Sequence, residues 1–337
     1  MRASTLGLVG IVAVLCVAWA RPAHAKDRFY HLGQGVMEVI DGDSDAIVAR
    51  IPLRGWMREA AVTSDKKFLY VTASRHLIHK VSLAENAVVA TVDVSHDGWD
   101  RFIFGFAMAP DDRTAYAGMM SRTTRDGEAV VGAPVVAQID LATGKILRSV
   151  EVPWGVARLV TVKGGQQVYA VGKDIYKIDA AGGALKIVET VPMFDRKWNI
   201  LPLWFYTWEN EGLATTNYYT PEAMGLLTID QNTGEIGEIP IKGDPVLAYS
   251  VIFAPDRKTA YAVMDDLSVI DVENRKYGPV VPLEQGTSYA VNLSSDGKKI
   301  YVGSGGASVT VFDAATLKPL KTLKLATDGM DLRRVTF

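Results

Sequence analysis

Hydrophobic and polar positions alternate through most of this chain, in short runs that stop at turn-forming residues. The phrase "GLLTIDQNTGEIGEIPI" (Gly225 to Ile241) has an apolar run closing on Ile-Asp, a turn built on Thr-Gly, then alternation again. Period-two alternation bounded by Asp, Asn, Thr and Gly predicts two strands joined by a tight turn. Nearly the same phrase returns as "VAQIDLATGKILRSVEV" (Val136 to Val152) and "VTVFDAATLKPLKTLKL" (Val309 to Leu325). Aligned on the residue that closes each run, the chain yields Asp41, Ser82, Asp140, Asp179, Asp230, Asp271 and Asp313, spaced 41, 58, 39, 51, 41 and 42 residues apart. Seven units follow from this alignment, two of them carrying insertions.

Five of the units open with a second hairpin phrase, as in "AAVTSDKKFLYV" (Ala60 to Val71) and "AVNLSSDGKKIYV" (Ala290 to Val302). "LWFYTWENEGLAT" (Leu203 to Thr215) is a divergent copy. Four short antiparallel strands per repeat, at a period of about 40–45 residues, predict an all-β, seven-bladed β-propeller. The first unit lacks an opening strand, and "DLRRVTF" (Asp331 to Phe337) is an opening strand with no unit after it. The C-terminal strand is therefore expected to complete the first blade and close the ring, which removes free sheet edges. Apolar spacing of 3.6 residues, which a helical solenoid needs, is not the dominant pattern.

The first 25 residues depart from the repeat. Leu6 to Ala20 is an uninterrupted 15-residue apolar stretch after Arg2, and Ala23-His24-Ala25 has the small-x-small form of a cleavage site. The expectation is a secretory signal peptide over residues 1–25, cleavage after Ala25, a periplasmic location and one propeller domain over residues 26–337. The stretch is shorter than the ~20 residues of a membrane span. The single cysteine, Cys16, lies in the leader, so the expected mature chain has no disulfide, thiolate ligand or Cys-x-x-Cys-His haem attachment of its own. Removing Arg2 and Arg21 leaves 34 basic against 38 acidic residues, a net charge of −4 with no nucleic-acid footprint.

Candidate chemistry is sparse. Asp41, Asp43 and Asp45 are spaced like the start of an EF-hand loop, but Ala46 replaces the glycine and Pro52 the bidentate glutamate, so a polar turn is expected. His76 and His79 are three apart in a strand-rich segment, on opposite faces, and so unsuited to sharing a metal. Gly303-Ser304-Gly305-Gly306 follows a strand but opens no helix, which makes it a turn rather than a phosphate cradle. The acidic pairs Asp111-Asp112 and Asp265-Asp266 sit in turn contexts. No catalytic, cofactor-binding or metal-binding residue is assigned.

Aromatic residues are distributed less evenly. Trp56, Trp99, Trp154, Trp198, Tyr249 and Tyr289 fall in the six segments that lead from one unit to the next. In a propeller these crossings share one face, so the residues are candidates for a partner interface or pocket wall. "SRTTRDGEAVVGAP" (Ser121 to Pro134) and "NYYTPEAMG" (Asn217 to Gly225) are expected to lengthen loops on the same side, adding Tyr218 and Tyr219 to the set. The approach to the fifth unit, "RKWNILPLWFYTWENEG" (Arg196 to Gly212), contributes Trp204 and Tyr206 where other inner strands favour small residues.

With Gly212 to Glu235, Ser288 to Gly303 and Val309 to Leu320 in view, the chain resembles the β subunit of quinohemoprotein amine dehydrogenases. Asn217-Tyr218-Tyr219-Thr220 together with Gly225 to Glu235 is the most specific part. The resemblance implies a periplasmic complex that oxidatively deaminates primary amines. It also implies a cysteine tryptophylquinone on a small partner subunit, c-type haems on a dihaem cytochrome partner, and a soluble electron acceptor. The chain itself would be a scaffold holding neither cofactor. The large subunit of methylamine dehydrogenase and a free-standing binding propeller are the alternatives, with neither nucleic acid nor membrane as a partner.

Overall fold

The computed structural model describes residues 26–200, 209–210, 212–303 and 305–337. They are almost wholly β, with one short 3-10 turn at Lys163–Gly165. Trp204 and Tyr206 lie outside the described residues.

Six antiparallel sheets succeed one another along the chain, not the seven expected. The physical reason lies in the first sheet. Ala46–Val62 is one uninterrupted strand that pairs with Asp27–Asp41 through its first part and with Phe68–Ala73 from Met57 onward. The first two repeat units are thereby joined in a single sheet. Asp27–Asp41 also doubles back: Gly42 N donates to Asp27 O at 3.0 Å, which a straight strand of 15 residues, about 50 Å long, could not permit. The reversal falls at Gly35, whose φ of 75° suits glycine.

The C-terminal strand Gly329–Thr336 pairs with the start of Asp27–Asp41, Arg28 opposite Val335 and His31 opposite Leu332. The expected closure by the last strand is therefore present. Lys26 and Phe337 exchange backbone hydrogen bonds at 3.1 and 2.9 Å.

One core layer, with Tyr30, Met37, Leu69 and Val81, lies within the first sheet, and the others lie between successive sheets. Ile78 of the first packs with Ala115 of the second, Val136 of the second with Val168 of the third, and Val160 of the third with Ala214 of the fourth. Leu226 of the fourth then meets Val251 of the fifth, and Ile252 of the fifth meets Val291 of the sixth. The last layer returns to the beginning: Tyr301 of the sixth sheet stacks on Phe29 of the first with centroids 3.9 Å apart. The outcome is a propeller-like ring of small sheets.

The recurring residue at the end of each run has a common task. Asp41, Asp140, Asp179, Asp230, Asp271 and Asp313 accept from the amides of Ser44, Thr143, Ala181, Thr233, Asn274 and Thr316 at 2.8–3.0 Å, and Ser82 Oγ accepts from Glu85 N at 3.3 Å. An acceptor two or three residues before a turn's orphan amides fixes that turn, so the repeat is a repeat of turn chemistry.

Candidate functional site

Inner strands run from a crossing at one end of the ring to a hairpin turn at the other. At the crossing end, Trp56 and Trp154 are about half exposed, at 48% and 57%. Phe194 (73%) and Leu247 (65%) occupy the next two crossings and are more exposed still, yet neither belongs to the aromatic set read from sequence. The hairpin Thr114–Arg125 and Glu128–Val131, turning at Asp126-Gly127, adds exposed Val131. Other exposed large apolar side chains lie singly on outer strands (Val48, Val89, Leu147, Val188, Val280, Leu320) or at the C-terminal Phe337.

The remaining expected residues are tied into the fold. Trp99 is half buried, with the Arg125 guanidinium 5.7 Å from its ring centroid. Trp198 is buried against Tyr218 at 6.3 Å, with Arg196 5.0 Å over its ring. Tyr218 donates to Glu238 at 2.8 Å, and burial with that carboxylate pushes its phenol well above the usual range. Tyr219 is half buried; its hydroxyl accepts from Ala248 N at 2.7 Å, and burial pushes it up to about 12. Tyr249 and Tyr289, both half buried, meet edge to face at 5.2 Å.

The segment Asn217 to Gly225 is not the long loop expected of it. Leu213–Tyr219 and Met224–Asp230 pair throughout, joined by a turn in which Thr220 Oγ1 accepts from Ala223 N at 3.0 Å. Asn217 Nδ2 and Tyr219 both reach Ala248 and fasten the next crossing.

Toward the other end of the ring, the centre is open. A cavity of about 450 Å³ is lined by inner strands, including Glu59 to Val62 and Arg333 to Thr336, and by Lys66 in a hairpin turn. Glu59, nearly fully buried, accepts from Phe106 N at 2.9 Å and lies 3.3 Å from Arg158 Nη1. Burial raises its carboxyl, opposed by Arg158, the Phe106 amide and the charges of Arg58 and Arg333. Among the described lining residues four cations, Lys66, Arg158, Arg333 and Arg334, face this one carboxylate. Sequence reading missed the group because its members come from three widely separated segments, Glu59 with Lys66, Arg158, and Arg333 with Arg334.

Among the described residues no three His, Cys, Asp or Glu side chains converge as a metal site requires. Asp41 and Asp45 diverge, Asp45 pairing with Lys299 at 2.7 Å while Asp41 holds the Ser44 amide. His79 is buried between Thr91 Oγ1 and Arg54 O, both at 2.8 Å, and His76 lies 3.0 Å from Asp93. The amides of Gly305 and Gly306 are taken by Asp328 Oδ1 at 2.9 and 3.0 Å, so this turn is filled by the chain's own carboxylate.

No family model matches the chain, and no curated protein matches it. Solved structures do. A functionally unknown protein from Desulfotomaculum acetoxidans superposes with a TM-score of 0.63 at 15% identity, over 91% of this chain and 98% of that one. Dihydro-heme d1 dehydrogenase NirN, in complex with DHE, gives 0.58 at 16% over 91% and 74%. Hydrazine synthase from Kuenenia stuttgartiensis gives 0.55 at 15% over 87% and 90%. The chain has a β-propeller fold. At such identities the likeness establishes the fold, and proteins sharing it differ in function.

Proposed function

We propose that this chain is a docking scaffold of a periplasmic multi-subunit enzyme, with the β-subunit role of a quinohemoprotein amine dehydrogenase. The observation that carries the docking role is the partition of exposed apolar side chains. Trp56, Trp154, Phe194 and Leu247 stand at four crossings of one face, where a lone water-exposed ring would contribute nothing to folding. Trp is among the residues that most often anchor protein partners, and the rigid ring holds the crossings in place at little entropic cost on binding.

The finer assignment is supported by the sequence resemblance over Gly212 to Glu235, Ser288 to Gly303 and Val309 to Leu320. In that reading the small subunit brings the quinone, the cytochrome partner brings the haems, and amine oxidation belongs to the assembly. This chain contributes a wall that excludes water from the quinone pocket.

The test is purification from the periplasm of the native host through a tag on this chain, with the visible spectrum and subunit masses recorded. Haem bands with a small quinone-positive chain are expected, and a Trp154→Ala/Phe194→Ser variant should lose them while remaining folded. A colourless, solitary wild-type chain would overturn the assignment.

A further inference from the structure

We infer that the channel cavity opposite the crossing face is a binding site for a small organic or inorganic anion carrying carboxylate or phosphate oxygens. The inference does not depend on partner docking, because the cavity is lined by the inner strands themselves and by Lys66 in a hairpin turn away from the crossings.

The first argument is charge. The whole sequence is net acidic, at −2, yet this cavity's described lining gathers Lys66, Arg158, Arg333 and Arg334 against Glu59, with Asp331 behind Arg333 as the other nearby carboxylate. Like charges gathered in a partly enclosed space repel, and an anion between them offsets that cost.

The second argument is how the cations are held. Lys66 Nζ donates to Thr336 O at 2.6 Å, a neutral carbonyl that orients the ammonium and leaves its charge. Arg333 has an aspartate, Asp331, 3.7 Å from Nη2, while its Nε is buried with no hydrogen-bond partner among the described residues. A guanidinium in a cavity wall suits oxygen pairs of a carboxylate or phosphate, which it engages bidentately. Glu59 fixes the opposite wall by pairing with Arg158 and the Phe106 amide.

The third argument is size. About 450 Å³ lies in the range of small-molecule sites, roughly 300–1,000 Å³. Asn292 is already used, its amide donating to Leu332 O and its oxygen accepting from Leu293 N, both at 2.8 Å, so the wall beside Arg333 is set before any ligand arrives.

The experiment is isothermal titration of the purified full chain, at low and moderate salt, with inorganic phosphate and separately with citrate. Saturable binding of at least one probe is expected, weakening as salt rises. Preference for phosphate assigns a phosphate-bearing ligand, and preference for citrate a polycarboxylate. Arg333→Gln should weaken binding by tenfold or more and Lys66→Gln several-fold. Lys66 sits in an exposed turn, so its variant keeps the test available if the Arg333 variant does not fold. No heat with either probe on the wild-type chain, or unaltered affinity in Lys66→Gln, would overturn the inference. Neither result bears on whether haem and quinone subunits co-purify.

Discussion

At the scale of the residue, the chain is organised by carboxylates that cap turns. Asp41, Asp111, Asp140, Asp230, Asp271 and Asp313 are held below the ordinary carboxylate range, and Asp296 is lowered to about 2. Amide and hydroxyl donors of the turns favour the charged form, against desolvation where the group is partly buried. His31 is the opposite kind of group. Fully buried, with both ring nitrogens lacking hydrogen-bond partners among the described residues, it is lowered to about 4 by desolvation despite the nearby Glu38, Asp328 and Asp331.

The two effects separate along the pH axis. An unfolded histidine takes up its proton near pH 6.5, whereas folded His31 waits until about 4, so its contribution, about 3 kcal/mol, is lost as pH falls between those values. Capping carboxylates contribute above their unfolded values, near 4, and lose that contribution as pH falls toward 2. Glu59 works against both, since its raised pKa lets the folded chain bind that proton first. Melting temperature should therefore decline in two stages on acidification. A His31→Leu chain should lose the stage between pH 6.5 and 4 and retain the lower one; an unchanged profile would assign the first stage to another group.

At the scale of the element, alternation places each strand's apolar side against a neighbouring sheet, and the exceptions are informative. Gly225 opens the most specific repeat phrase because it lies opposite Tyr218, whose ring occupies the space a Cβ would need. The aromatic covers the bare backbone of its cross-strand partner while its hydroxyl reaches Glu238. Gly225→Val must displace a ring that is packed on Trp198, and a loss of about 2 kcal/mol is expected in denaturant unfolding. Gly225→Val with Tyr218→Leu should recover part of it, which a purely conformational effect at residue 225 would not allow.

At the scale of the whole molecule, closure is decisive. Lys26, where the described residues begin, meets Phe337, and the last strand belongs to the first sheet. Joining residues 26 and 337 and opening the chain at the Asp126-Gly127 hairpin tip should preserve the fold, because no core layer crosses that tip. Circular dichroism and size exclusion should match the parent. Deleting Asp331 to Phe337 should instead expose the edge of Asp27–Asp41 and the core side of Tyr301, and the product should aggregate.

Most strand and turn positions, the repeat and the C-terminal closing strand were legible in the sequence by itself, because alternation and turn chemistry are local and each copy restates them. The six-sheet count was not, since only hydrogen bonding across Ala46–Val62 shows the first two units running together. Nor was the division of the crossing aromatics into exposed Trp56 and Trp154 and buried Trp198. An aromatic residue in a crossing reads the same whether it wedges between sheets or faces water; the neighbours that decide come from other repeats. The charged channel mouth was least visible of all. Glu59, Arg158 and Arg333 are separated by 99 and 175 residues in the chain, and only closing the ring brings their side chains to one cavity.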